Sequence, residues 1–319
     1  MRRIQRSLSF IIYLLSFCVV PAQAQQYDTA YIARPGNRLT LKVFSRLSGD
    51  GIHARGTVND IYSETDLHTD TKLTFSIGAV YRGIALSLAL NPAKMAGKYD
   101  DFEVNVNFFT PRISIDASYQ NASSLSGDIS RNGNFTLEKD YADMRVLNIA
   151  AYYCFNHRRF SFPAAFTQSY LQRRSAGSWL AGLSFQGGTI TTNPEANPHL
   201  PDMRIKARHL GIGGGYGYNL VVASASGAEK GRGWVFHLSA MPTIVVLNYN
   251  SLIINGVRKE AEAMRLNMII NERAAVVYNV SPRYFISLTG HMSNSIFNDN
   301  VVVINQNKWS AKASFGVRL

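Results

Sequence analysis

Lys308-Trp309-Ser310-Ala311-Lys312-Ala313-Ser314-Phe315-Gly316-Val317-Arg318-Leu319 ends the chain in strict alternation. Trp309, Ala311, Ala313, Phe315, Val317 and Leu319 fall on one side, and Lys308, Ser310, Lys312, Ser314 and Arg318 on the other. A period of two is the mark of an extended strand with one apolar and one polar face. Working back toward Gly36, the rhythm recurs in segments of about ten residues. They span 38–47, 72–81, 84–90, 102–109, 112–119, 144–155, 178–186, 204–218, 234–249, 262–278 and 283–292. Tight links such as Tyr81-Arg82-Gly83, Thr110-Pro111 and Ser281-Pro282 exchange with the long polar stretches Ser48 to Thr71 and Asn121 to Asp143. A closed sheet trimmed at one end and elaborated at the other is an outer-membrane pattern. The expected fold is all-β: a transmembrane antiparallel β-barrel of about 12 strands, with both termini periplasmic.

Arg2, Arg3 and Arg6 precede an apolar run, Leu8 to Val20, and Pro21-Ala22-Gln23-Ala24 follows it. That order reads as a secretory signal cleaved after Ala24. The run is too short to span a bilayer as a helix. The expected division is residues 1–24 signal peptide, 25–35 periplasmic N-terminal segment and 36–319 barrel. No later stretch reaches the ~20 apolar residues of a spanning helix, and only Glu260 to Ile270 competes with helical spacing. Without such helices, lipid tolerates only a closed barrel, because open edges leave backbone groups unpaired.

The net charge of +12 raises nucleic acid as a partner. The lysines and arginines are scattered and no nucleic-acid motif appears, so that class is set aside. Contact with outer-membrane lipid and lipopolysaccharide is the expected binding use, with plain solvation of the loops the leading reading of the charge. Of two cysteines, only Cys154 lies beyond the signal, which excludes an intramolecular disulfide and a Cys-based metal site. His53 and His68 share a stretch with Asp60, Glu64, Asp66 and Asp70, but the spacing matches no metal motif, and no cofactor or metal is expected. Gly211 to Gly217 lies within a strand, where glycine relieves crowding or bends the barrel rather than cradling phosphate.

Aromatic residues gather at segment ends, as interfacial girdles do. Tyr81, Phe108, Phe109, Tyr152, Tyr153, Phe155, Trp179, Tyr216, Tyr218, Trp234, Phe236, Tyr278, Tyr284, Phe285 and Phe315 mark the short-turn side. Phe102, Tyr119, Phe185, Tyr249 and Trp309 mark the other.

The opening Tyr27-Asp28-Thr29-Ala30-Tyr31-Ile32 and the run from Tyr153 to Ser178, with Phe160-Ser161-Phe162-Pro163-Ala164-Ala165-Phe166 at its centre, resemble a Bacteroidota family. It is the family of secreted, barrel-like proteins catalogued as domain of unknown function 4421. The resemblance implies a bacterial outer-membrane location and assigns no activity or catalytic residue.

Three sets of residues carry candidate chemistry. Asn156 to Gly177 spends some twenty residues where a turn needs a few. It joins His157, Arg158, Arg159, Arg173 and Arg174 to Phe160, Phe162 and Phe166, which suits docking of a periplasmic protein partner or plugging of the barrel floor. Lys42, Glu103, Asp116, Arg265 and Lys312 sit on wet strand faces and are expected to form a cross-lumen charge network, Lys42, Arg265 and Lys312 pairing with Glu103 and Asp116. His237-Leu238-Ser239 and His291-Met292-Ser293 each place His and Ser on one strand face, where His can serve as base to a Ser nucleophile. The second resembles the H-x-S-N pattern of barrel phospholipases and lipid A deacylases, though no orienting partner for the His is evident. The preferred reading is a non-enzymatic structural or partner-docking protein with a plugged or narrow lumen; a small-solute pore and a lipid-acting hydrolase are the alternatives.

Overall fold

A computed structural model describes residues 27–35, 39–58, 61–97, 101–130, 134–195, 202–223, 226–227, 230–260, 267–298 and 302–319. The signal segment and Arg265 lie outside these residues.

Twelve antiparallel strands form one ring, each paired with its sequence neighbours in the ring. They are β2 (Leu39–Val58), β4 (Lys72–Tyr81), β5 (Ile84–Leu90), β6 (Phe102–Phe109), β7 (Ile113–Ala122), β10 (Ala142–Cys154), β12 (Ala176–Thr192), β13 (Met203–Val222), β14 (Gly233–Ile254), β16 (Met268–Asn279), β17 (Tyr284–Asn298) and β18 (Val302–Arg318). The ring closes where the alternating C-terminal strand meets the first long one, from Arg318↔Thr40 to Val302↔Gly56. The expected all-β, twelve-strand barrel is the observed fold.

Alternation sets the two faces. On β17, Ile286 and Leu288 point outward, while Phe285, Ser287 and Thr289 between them are buried. The outer surface carries Ile77, Leu88 and Leu238 at 69, 74 and 70 % exposure. So much exposed aliphatic surface is unfavourable in water and matches a lipid-facing band. Trp179 against Tyr216 and Trp234 against Tyr278, with ring centroids 5.2 and 4.5 Å apart, ornament the end that carries residue 319. Phe109, Tyr152 and Phe285 depart from the expected girdle: all three are buried inside the ring. Their parity places them on the polar face, where Phe109 and Tyr152 pack beneath residues 155–177 and Phe285 packs with Val235 and Val277 under the Arg318 guanidinium instead of meeting lipid.

The polar stretch Ser48 to Thr71 is not the loop that composition implies. β2 continues through it to Val58 and turns back as β3 (Ile61–His68). Within Asn121 to Asp143, β8 (Ser126–Ser130) and β9 (Asn134–Leu137) form another hairpin, and β3 pairs with β8. These strands extend beyond the apolar band, where both faces meet water, so polarity there does not oppose pairing. A further hairpin, β14 to β15 (Val257–Glu260), turns at Asn255 and Gly256 with φ of 48° and 78°, values that an Asn-Gly turn tolerates. Ile52, Leu67, Leu125, Leu137, Met144 and Val146 fill the lumen at this far end.

At the end carrying residue 319, the connection from β10 to β12 folds inward. It holds a helical turn, with Ser161 as its cap, over Phe162–Phe166, and β11 (Leu171–Gln172), which pairs with β1 (Ile32–Ala33) near the start of the described chain. Another short helix is Pro92–Met95, between β5 and β6. No described helix is long and apolar enough to cross a membrane.

Gly211 to Gly217 shows what crowding means here. The register slips between Leu210 and Gly211, and Pro242 in β14 brings no N–H to the ladder. A Cβ on Gly215 would run into the Ala240 carbonyl. Gly215→Val is therefore expected to destabilise the barrel by about 1–3 kcal/mol, as overpacking does. A lower melting temperature of the folded band in heat-modifiability gels would read this out; an unchanged temperature would contradict the close approach.

Candidate functional site

Residues 155–177 are held in the ring from several sides. Lys42 donates from Nζ to the Phe166 carbonyl and to Gln168 Oε1, both at 3.4 Å. Arg318 donates to the Gln168 carbonyl and, at 2.7 Å, to Asn279 Oδ1. Asn219 donates to the Ser161 carbonyl and to Gln172 Oε1, each at 3.0 Å. Gln172 in turn donates to the carbonyls of Arg159 and Arg174, at 2.6 and 2.9 Å. Phe160, Phe162 and Phe166 are buried, facing the lumen. Buried polar groups that find partners on several strands hold such a segment in place.

The basic residues of the segment face the other way. Arg159 lies 3.3 Å from Asp28 and covers the Tyr31 ring, Arg174 approaches the same ring, and Arg173 donates to the Thr29 carbonyl. Three arginines read as docking groups thus hold the chain's own residues 28–31. Arg158 is exposed, and His157 meets the Cys154 carbonyl at 3.3 Å.

Between this floor and the filled far end lies a cavity of about 520 Å³. Glu103 reaches Arg46 at 3.1 Å and Lys308 at 3.6 Å, and accepts from Asn105 at 3.2 Å. Asp116 pairs with Arg273, whose guanidinium also donates to the Tyr152 hydroxyl and sits 5.6 Å from the centre of the Phe166 ring. Asp101 holds Lys72 at 2.9 Å. The charge network exists, but with partners other than those expected from the sequence. Lys42 is spent on the floor segment. Lys312 forms no ion pair or hydrogen bond among the described residues and sits over the Phe44 ring at 5.3 Å. Arg46, Arg273 and Lys308 hold the carboxylates instead. Arg273 is not singled out by the sequence; three-dimensional register brings it to Asp116.

The two His-x-Ser pairs differ. His237 Nε2 is 2.9 Å from Ser239 Oγ, and His237 Nδ1 is 2.7 Å from Asn219 Oδ1. The sequence offered no orienting partner; β13 supplies one, because Asn219 pairs directly with His237. Hydroxyl, imidazole and amide thus align as nucleophile, base and orienting group would. The rings of Phe160, Phe162 and Phe166 lie 5.9, 5.2 and 4.9 Å from the imidazole, and all three polar side chains are buried beneath the floor segment. Here the triad fastens the floor segment. His291 and Ser293 line the cavity, but His291 Nε2 is buried without a hydrogen-bond partner. Among the described residues no cluster of three metal-ligating side chains forms, and His53 lies 3.6 Å from Glu64.

A twelve-stranded barrel with a filled floor and a charged lumen defines the class. The chain belongs to the family described as domain of unknown function (DUF4421), whose profile matches residues 26–319. No curated protein matches it in sequence. Among solved structures it is similar to the outer membrane protease OmpT from Escherichia coli, with 9 % identity, 89 % of this chain and 97 % of that one covered and a TM-score of 0.42. The translocator domain of the autotransporter NalP from Neisseria meningitidis gives 8 % identity, 89 % and 90 % coverage and a TM-score of 0.35. The outer membrane protein OprG from Pseudomonas aeruginosa gives 10 %, 88 %, 97 % and 0.29.

Glu103 is the carboxylate shared by two cations. Glu103→Gln is expected to cost about 2 kcal/mol of folding stability, the scale of a lost charged hydrogen bond, and less if lumen water screens the pair. Urea titration in lipid vesicles, followed by tryptophan fluorescence, measures it, with exposed Glu138→Gln as the control; equal midpoints for both variants would show that the pair contributes nothing.

Proposed function

We propose that this protein is an outer-membrane barrel of a Bacteroidota cell, closed along its axis by residues 155–177, with a structural or partner-docking role and no axial conduction. The outward apolar band supports the location, and the hairpins extending from the far end support an outward orientation for that end, with both termini periplasmic. The observation that carries the reading is the floor itself: buried aromatics above, Lys42, Asn219 and Arg318 tying it to the wall, and Gln172 cross-linking it from within. A mobile gate would not spend so many buried polar contacts on one position. Outside the floor, exposed Arg158 and the arginine-braced residues 28–31 offer a basic face for a periplasmic protein partner of acidic character.

A lipid-acting hydrolase is the second reading, favoured by the Asn219–His237–Ser239 alignment; it requires the floor to leave. A small-solute pore requires the same.

Purified protein in planar bilayers is expected to show no steady conductance. The double variant Asn219→Ala/Gln172→Ala, which unfastens the floor, is expected to give intermittent openings. A fluorophosphonate probe should leave Ser239 of the wild type unlabelled. Steady wild-type current would replace this reading with the pore, and labelling at Ser239 with the hydrolase.

A further inference from the structure

β5 and β6 pair only at one end. Ile84 lies opposite Phe108 and Ala85 opposite Asn107, and there the ladder stops. Continuing that register would put Leu86 opposite Val106, Leu88 opposite Val104 and Leu90 opposite Phe102, yet none of these pairs forms. Each strand is fully paired on its other side, β5 with β4 and β6 with β7. The ring therefore has one unzipped seam, roughly 16 Å tall at the usual rise per residue. Ser87 and Ala89, which alternation turns toward the lumen, are exposed on β5.

The lumen cavity reaches this seam. Its lining includes inward Ser87, Ala89 and Asn105 and also outward Leu88, Phe102 and Val104. Leu88 is shared with a second depression, about 490 Å³, on the outside of the barrel, formed with Val43, Phe75, Ile77 and Leu90. Leu88, with Phe44 and Ser76, thus borders both the charged interior and the apolar groove on the lipid face. The interior is cationic: seven lysine and arginine side chains line it against three carboxylates. Arg46 of β2 reaches Glu103 of β6 behind the seam, and Lys312 has no ion-pair partner among the described residues.

We propose that the cavity binds an anionic amphiphile that enters sideways from the bilayer through the β5–β6 seam. The negative headgroup sits among Lys42, Arg46 and Lys312, and the acyl chain leaves between Leu88 and Val104 into the outer groove. A headgroup supplies the missing anion, and a chain in the seam excludes water from the unpaired edges, which bare hydrocarbon does not tolerate. The volume is that of a small-ligand pocket, so it takes one headgroup and not a whole glycolipid. The same chemistry comes from two sources, a free fatty acid or an anionic phospholipid. The binding site does not depend on the axis being closed.

The test uses the full-length protein in neutral detergent with three spin-labelled probes: stearate, its methyl ester and phosphatidylglycerol. An anionic probe is expected to bind at least about tenfold more tightly than the ester, the worth of one charged contact. Tight stearate identifies the fatty acid, tight phosphatidylglycerol the membrane lipid; either supports the site. Lys312→Met should weaken binding about tenfold, since an apolar residue removes the charge without leaving a carboxylate unpaired. Leu88→Cys/Val104→Cys should abolish binding when oxidised and restore it when reduced. Should that disulfide not form, Ser87→Trp obstructs the same mouth and should abolish binding by itself. Equal affinity for ester and anions, or binding unchanged by Lys312→Met and by the blocked seam, would overturn the proposal.

Discussion

A strand in hydrocarbon has no water to satisfy its N–H and C=O groups, so each must meet another strand. The rest of the molecule follows from that constraint. The C-terminal strand must reach the first one, and the β2–β18 ladder runs over nearly the full length of both. Closure forces alternation, alternation sends half of every strand inward, and the inward half must then be packed, paired or wetted. The β5–β6 seam is where the constraint is met least by the chain itself, and it is also where cavity and outer groove converge.

The interior meets the demand differently at three heights. Aliphatic side chains fill the far end. Near the other end, a backbone segment enters the ring and brings its own polar groups, so the wall must present matching donors and acceptors. Lys42, Asn219 and Arg318 do so, and Asn279 in turn accepts from Arg318, which accounts for polar side chains buried on four strands. In the middle, neither solution applies. Charges face charges there, and the cations outnumber the carboxylates.

Features set by local period were legible in the sequence. The expected segments 72–81, 84–90 and 102–109 coincide with β4, β5 and β6, because each has one apolar face and is bounded by turn residues. Segments above the apolar band were not legible, since pairing in water needs no oily face: Ser48 to Val58 looks like loop yet is β2. Composition also hid direction. Phe109, Tyr152 and Phe285 are aromatic like the girdle residues, and only parity against a buried floor separates them. Partners across the lumen were least legible. Strand spacing put Lys42, Glu103, Asp116 and Lys312 on wet faces, and all four line one cavity. Which cation meets which carboxylate depends on register around the whole ring, and Asn219 becomes the partner of His237 only through the β13–β14 pairing.

The filled floor and the unzipped seam are two consequences of one arrangement. The floor is held because the wall meets its backbone carbonyls, and the seam is unzipped because the β5–β6 ladder stops at Ala85. The Arg46–Glu103 pair links the two regimes: it spans from β2 to β6 behind β4 and β5, on the inner side of the gap. That pair braces the barrel where ladder bonds are missing, with a geometry that leaves the outer edge free. An ion pair is a poor substitute for a β-ladder in energy, since each charge gives up hydration to form it. It differs from a ladder in one useful way: side chains can yield to an incoming anion and return, whereas a zipped pair of strands admits nothing between them.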